Sequence, residues 1–323
     1  MAFTGTEMTF AAGEASAEAA RLVTRLREAV LHTMRRKGVV LGISGGIDSS
    51  VVAALCARAF GAQNVLGLTM HEVESSDDTR RLAQLAIDHL GIATSDEPLS
   101  SLLAAAGCYE RRDAAIRKAV PGYGPAWRCK LVLPSIIDTE QLRISSVVAR
   151  SPEGEEVRAR LPADAYLQIV AATSFKQRTR KMLEYYHADR LNYAVAGTPN
   201  RLEYELGFFV KNGDGAADVK PIAHLYKTQV YQLAEVLQIP AEIRARPPTT
   251  DTYSLPQSQE EFYFALPYAR MDACLWACDH AVPAAEVATG LGLTVDQVER
   301  VYRDIAAKRM VARYLHAPPV LLH

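Results

Sequence analysis

The sequence predicts an α/β protein built on a doubly wound parallel sheet, and three observations carry that prediction. A short apolar strand over residues 39–43 runs straight into Ser44-Gly45-Gly46, and a helix opens at Ile47. A second strand at 65–70 is followed by a helix at 77–90, which Gly91 stops. After an interruption the alternation resumes, with a helix at 166–188 and a strand at 191–196. Strand, helix, strand, helix calls for parallel pairing through right-handed crossovers. About five strands are expected, with a β-hairpin insertion and a helical C-terminus.

The remaining elements follow in chain order. Residues 15–36 read as a helix, because Leu22, Leu26, Val30 and Met34 recur at helical spacing. The helix that begins at Ile47 runs to Phe60 and stops at Gly61. The pattern breaks at about Cys108 and reads as irregular through residues 121–125. Strands at 142–149 and 157–161 then flank Ser151-Pro152-Glu153-Gly154-Glu155, which is strong turn chemistry. Trp127, Arg128 and Lys130 lie near the base of this hairpin and read as its seat on the host. A helix at 227–237 ends near Pro240, and residues 247–267 read as irregular. Helices at 271–280, 283–290 and 295–315 close the chain. The balanced charge favours a packing subdomain over a DNA-reading helix-turn-helix. The chain thus divides into four parts: residues 1–105, the nucleotide-binding half; 106–165, the insertion; 166–265, the second half with a substrate loop; and 266–323, a helical subdomain.

Composition narrows the class. The chain has 323 residues, 49% of them hydrophobic, which suffices for one large core. A net charge of −1 provides no global field for nucleic acid or a membrane surface. No window approaches 18 consecutive apolar residues, and the first 20 residues lack the pattern of a signal peptide. Five scattered cysteines read as reduced, mostly buried thiols, so a cytoplasmic location is expected. Cys274 and Cys278 share a helix face, which reads as packing rather than a metal pair.

The chemistry concentrates after the first strand. Strand, glycine turn and helix N-terminus make an anion site, with free N–H groups and the helix dipole aimed at the ligand. Ser44, Ser49 and Ser50 add hydroxyls. The Gly-Lys-Ser/Thr ending of a Walker loop is missing. Asp48 would repel a bare phosphate, so a cation, most simply Mg²⁺, belongs between them. The strand at 191–196 delivers Gly197-Thr198-Pro199-Asn200 and then Glu203 to the same sheet edge, giving the metal a second carboxylate. Residues 211–218, with Lys211, Asp214 and Asp218, read as a substrate loop. Lys227 stands in a first helical turn, where a cation needs a compensating anion, read here as phosphate. Pro247-Pro248-Thr249-Thr250-Asp251 offers hydroxyls on a rigid turn.

The segment SGGIDSS resembles the pyrophosphate loop of the ATP pyrophosphatases, which cleave ATP between its α- and β-phosphates. Together with FKQRTRKM, GTPNRLEYELGFF, KNGDGAADVKPI, LYKTQV and RPPTTD, in that order over residues 38–251, the chain resembles the ammonia-dependent NAD⁺ synthetase family. The resemblance implies an adenine nucleotide alpha-hydrolase-like fold, a homodimer, and ATP with Mg²⁺. It implies adenylation of the deamido-NAD⁺ carboxylate and displacement of AMP by ammonia. Carried over by position, Ser44, Gly45, Gly46, Asp48, Ser49 and Ser50 match the pyrophosphate loop, and Asp48 and Glu203 the Mg²⁺ ligands. Thr198, Lys227 and Thr249 match ATP contacts, with Asp48, Glu203 and Lys227 carrying the chemistry. Arg178, Lys211, Asp218 and Lys308 match contacts to the dinucleotide.

Three departures bear on the acid. The insertion at 106–165 precedes the Arg178 helix, the family's His-Lys-Arg reads Ala307-Lys308-Arg309, and the segment after Asp251 is unlike the family's. The same amidation chemistry on a different carboxylate, in specialised metabolism, is therefore the alternative reading. No glutaminase domain precedes the loop, so ammonia is expected free or from a separate glutaminase. tRNA thiolation would need a sulfur-carrying cysteine near the site and a basic RNA surface, and neither is evident. A non-catalytic nucleotide-binding module would not require Glu203, Lys211 and Lys227.

Overall fold

A computed structural model describes residues 3–133, 145–249, 252–264 and 266–322. The chain begins with α1 (Glu14–Arg27), which continues as a π-helical turn, and enters β1 (Val39–Gly42), α2 (Ile47–Phe60), β2 (Val65–Thr69), α3 (Asp77–Leu90) and β3 (Ala93–Asp96). Next come α4 (Ser100–Ala105), α5 (Cys108–Arg117), β4 (Arg128–Val132), β5 (Ser146–Arg150) and β6 (Glu156–Arg160). The long α6 (Ala163–Leu191) returns to β7 (Ala194–Val195), followed by α7 (Arg201–Leu206), α8 (Lys227–Val236) and α9 (Ala241–Ala245). The chain ends in α10 (Tyr268–Asp279), α11 (Ala284–Leu291) and α12 (Val295–His316).

The main sheet is parallel in the order β3-β2-β1-β7. A further parallel bridge, Ala196 to Val219, extends it at the β7 edge, so four described strands and this bridge stand where about five strands were expected. Alternate residues of β1 face opposite layers. Val39 and Leu41 join α1, α2 and α8 in the larger core, while Val40 packs with Leu66, Leu68 and Val195 beneath α6. Both faces are covered, which is why β1 is apolar throughout rather than alternating.

The insertion is more than a hairpin. The expected pair is β5 and β6, closed by the Ser151 N–H to Glu155 carbonyl bond of 2.8 Å, and β4 adds a third antiparallel strand. Residues 142–144 of the expected first strand lie outside the described residues. Cys129, Leu131, Val147 and Ala149 pack this sheet onto Ile116 of α5 and Ile169 of α6. The irregular stretch expected after Cys108 is instead the helix α5. Its buried positions are Cys108, Arg112, Ala115 and Ile116, so a charged residue occupies one core position and hides the helical period. Trp127 packs on Tyr123 with ring centroids 5.7 Å apart, as a seat should.

The C-terminal helices bury Met271, Leu275, Val298, Val301 and Ile305 in one cluster with Leu202 and Leu206 of α7. Helix α7 follows β7, so this cluster braces the sheet edge from which Thr198 and Glu203 emerge.

Candidate active site

The carboxyl ends of β1, β2 and β7 open into a cavity of about 510 Å³, as an open α/β sheet dictates. Ser44, Gly46, Asp48, Ser49, Thr198, Glu203, Lys227 and Thr249 all line it. Residues from four separate stretches of chain therefore meet in one crevice.

The glycine loop is shaped from behind. Gly45 has φ +69°, and a Cβ there would lie 2.7 Å from the Ala83 nitrogen and 2.8 Å from the Thr79 carbonyl oxygen. Only glycine lets α3 approach this closely. Gly45 and Ser50 are not among the lining residues. Ser50 is fully buried and its hydroxyl donates to the Gly46 carbonyl at 2.8 Å, so it fastens the turn. Ser49 donates to the same carbonyl at 3.1 Å and lies 3.1 Å from the Ser44 hydroxyl. The loop is thus tied down from within, and the start of α2 faces the cavity.

Asp48, Lys227 and Glu203 form the charged floor. The Lys227 Nζ donates to Asp48 Oδ2, and Asn200 donates to Asp48 Oδ1 at 3.2 Å. Lys227 is 1% exposed. Burial opposes its charge, but the Asp48 and Glu203 carboxylates outweigh that and hold its pKa above the usual lysine value. Within the protein the anion beside this first-turn cation is Asp48, which the sequence reading had not placed there. Asp272 of α10 adds to it by accepting the Lys227 and Thr228 backbone N–H groups at 3.2 and 2.8 Å.

Glu203 is held by a capping box, in which the Asn200 N–H donates to Glu203 Oε2 at 3.1 Å. Burial first, and the Asp48 charge second, push its pKa up to about 8. A buried carboxylate beside a second carboxylate needs positive charge to ionise. That donor set fits a hard cation taking its other oxygens from phosphate and water. Among the described residues no cluster of three or more His, Cys, Asp or Glu could hold a metal by itself.

The four residues matched to the dinucleotide lie elsewhere. None of Arg178, Lys211, Asp218 and Lys308 is among the residues lining the cavity. Arg178 is exposed on α6 and donates to the Lys211 carbonyl at 3.3 Å. Lys211 caps the end of α12, donating to the Tyr314 and Ala317 carbonyls at 2.9 and 3.1 Å. Asp218 accepts the Val195 N–H at 2.7 Å and the Tyr185 hydroxyl at 3.3 Å. Lys308 donates to the Tyr263 carbonyl at 2.7 Å and pairs with Asp304. Thr250 and Asp251 lie outside the described residues.

The cavity also holds groups the sequence did not single out. Asn200, buried behind the lining and bonded to Asp48, was legible, since Asn-x-x-Glu before an apolar helix spells a capping box. Arg80 and Arg246 line the mouth. Lys176, buried at its wall, pairs with Glu72 and Glu74, and Arg112 of α5 reaches the same Glu74. No local pattern marks these partners, which come from three elements.

The sequence profile described as NAD synthase matches residues 18–119 and 131–313. The chain is 58% identical over 308 residues to a protein of Mesorhizobium japonicum named NH(3)-dependent NAD(+) synthetase, covering 95% of this chain and 97% of that one. A protein of the same name from Rhizobium meliloti is 58% identical over 307 residues, covering 95% and 92%. Solved structures share the fold at lower identity. An NMN synthetase from Francisella tularensis superposes with a TM-score of 0.64 at 20% identity, covering 95% of this chain and 98% of that one. The NH3-dependent NAD synthetase of Campylobacter jejuni gives 0.62 at 21%, covering 96% and 99%. With its glycine loop, its paired carboxylates and nearly its whole length matched, the chain belongs to the NAD synthase family.

Proposed function

We propose that the protein is an ammonia-dependent NAD⁺ synthetase, a carbon–nitrogen ligase that converts ATP, deamido-NAD⁺ and ammonia into NAD⁺, AMP and pyrophosphate. The observation that carries this reading is the floor of buried Lys227 with Asp48 and Glu203 beneath the glycine loop, in a chain 58% identical to proteins of that name.

The residues present account for the chemistry. The substrate carboxylate attacks the α-phosphorus, pyrophosphate leaves, and ammonia then displaces AMP from the acyl-adenylate. No protein nucleophile is required. The α2 N-terminus and the Ser44 and Ser49 hydroxyls receive the leaving pyrophosphate, and Thr198 and Thr249 orient ATP. Lys227, pinned by Asp48 and the Asp272 cap, presents a fixed positive charge to the anion that develops. Asp48 and Glu203 would hold Mg²⁺, which when bound supplies charge neutralisation on the phosphates.

The dinucleotide contacts remain part of this proposal, and α6 suggests how they could join the site. Ser174, Arg178, Met182 and Tyr186 recur every four residues, and Arg178, Met182 and Tyr186 are exposed. A homodimer formed through this face would bring Arg178 to the interface. No described helix is long and apolar enough to cross a membrane, and a cytoplasmic enzyme fits that.

The test is direct. Purified protein with ATP, Mg²⁺, ammonium and deamido-NAD⁺ is expected to form NAD⁺, AMP and pyrophosphate in equal amounts. Pyrophosphate release with some other acid, and none with deamido-NAD⁺, would reassign the substrate. Light scattering on the same preparation is expected to give twice the chain mass, and a monomer would remove the dimer.

A further inference from the structure

The cavity's cations divide into two groups. Lys227, Lys176 and Lys181 are each neutralised by at least one carboxylate: Asp48, the pair Glu72 and Glu74, and Glu184. Arg80 and Arg246 form no ion pair with a carboxylate among the described residues, and both line the cavity, whereas Arg180, which also lines it, lies in the fields of Glu184 and Asp214. An unneutralised guanidinium at a phosphate site is a binding group in waiting.

Arg246 is the one tied to the glycine loop. Its Nη2 donates to the Thr79 hydroxyl at 2.8 Å, with Thr249 at 3.4 Å and Ser76 at 3.5 Å. Thr79 belongs to the first turn of α3, the turn against which Gly45 packs. The guanidinium therefore stands one residue away from the backbone that cradles phosphate. Its partners are all hydroxyls, which orient the head group without cancelling its charge. Pro247 and Pro248 follow directly and stiffen the chain that carries it. Arg80 is the next residue after Thr79 and lines the same mouth.

The charge balance asks for such a group. Asp48 already occupies Lys227. A triphosphate arriving at this floor meets little net positive charge from it. We infer that Arg246, with Arg80 at its side, is a second phosphate grip, which takes the β,γ end of ATP opposite the glycine loop and keeps hold of pyrophosphate as it leaves. This rests on the adenylation reading above and adds to it a binding residue outside the motifs that suggested that reading. In the bound state the guanidinium exchanges hydroxyl acceptors for phosphate oxygens, and its fork geometry suits two of them at once.

The experiment compares three ligands in calorimetric titrations with Mg²⁺ present: ATP, pyrophosphate and AMP. The proteins are the wild type, R246M and R246K, each checked for folding by circular dichroism. R246M is expected to weaken ATP and pyrophosphate by about 10- to 100-fold and to leave AMP within about twofold, since AMP lacks the phosphates the grip takes. R246K is expected to recover part of the loss. Unchanged pyrophosphate affinity overturns the inference. So does an equal loss for AMP, which would make Arg246 a strut between Thr79 and Thr249. If R246M does not fold, R246K and R80Q carry the same ligand comparison. The titrations need no carboxylate substrate, so they stand even if deamido-NAD⁺ proves the wrong acid. A wild type that binds none of the three ligands overturns the inference and the adenylation reading together.

Discussion

Lys227 and Asp48 are one ion pair with unequal surroundings, and that inequality predicts how each replacement behaves. The Lys227 side chain is 1% exposed, whereas that of Asp48 is 17% exposed. Lys227→Met removes the fully buried charge and leaves a carboxylate that water can reach. It also removes a cation from a helix N-terminus, which returns about 0.3–1 kcal/mol. The net cost to stability should therefore be only about 1–2 kcal/mol, below the 3–5 kcal/mol typical of breaking a buried pair. Asp48→Asn does the opposite and strands the buried cation. Its cost should approach about 3 kcal/mol, held to the low end because Glu203 remains as a partner. Thermal melts should then rank wild type first, K227M second and D48N last. The double variant should be more stable than D48N alone, since no stranded charge remains. Activity should follow a different order. K227M should lose about 100-fold or more in kcat/KM for ATP, as when a preorganised charge at a transition state is removed. Following NAD⁺ formation beside the melts reads both quantities. A D48N protein more stable than K227M, or a double variant less stable than D48N, would refute the asymmetric burial argument. A K227M enzyme within about fivefold of wild type would make the lysine structural.

Gly45→Ala forces a Cβ to within 2.7 Å of the Ala83 nitrogen at a left-handed φ, so it should cost about 1–3 kcal/mol and raise the KM for ATP. A melt and a KM both like wild type would show that the loop can yield. Burial raises the Asp272 pKa from 3.8 to about 6 against the pull of the backbone N–H groups it caps. Between those values the folded protein keeps a proton that the unfolded chain has lost, so this group's contribution to stability falls as pH rises towards 6 and is level above it. Relative to Asp272→Asn, the wild type should lose up to about 1.4 kcal/mol per pH unit in that window, read from melts at pH 4.5–7.5, and parallel profiles would reject the shift. Lys176→Met should destabilise by about 3 kcal/mol, because it leaves the buried Glu72 without a cation while Arg112 still holds Glu74, and a small change in melting temperature would show the network to be dispensable.

What the sequence made legible, and what it hid, follow from the range over which each feature is determined. The glycine loop is local: the strand before it, the positive φ at Gly45 and the serines that fasten the Gly46 carbonyl all lie within a dozen residues. The crevice was legible because one topological rule sends the ends of β1 and β7 to the same edge. The insertion was half legible. Its turn at 151–155 is local, but β4 alternates Arg128 and Lys130 with Cys129 and Leu131, and its pairing with β5 bridges the stretch between them. Helix α5 was missed because Arg112 sits where an apolar residue would complete the period, a substitution that Glu74 makes tolerable from 38 positions away. Periodicity cannot register a buried charge whose partner is remote. The same limit explains Lys227. Local reasoning asked for an anion at the start of α8, and the fold brings Asp48 from the first crossover and Asp272 from α10, neither of which local reasoning could place there. Lys227 is thus paired within the protein, while Glu203, beside Asp48, is the group of the floor that still lacks a positive partner of its own. The guanidinium of Arg246, which contacts only hydroxyls, is the cation at this mouth that no first-turn or loop motif would mark.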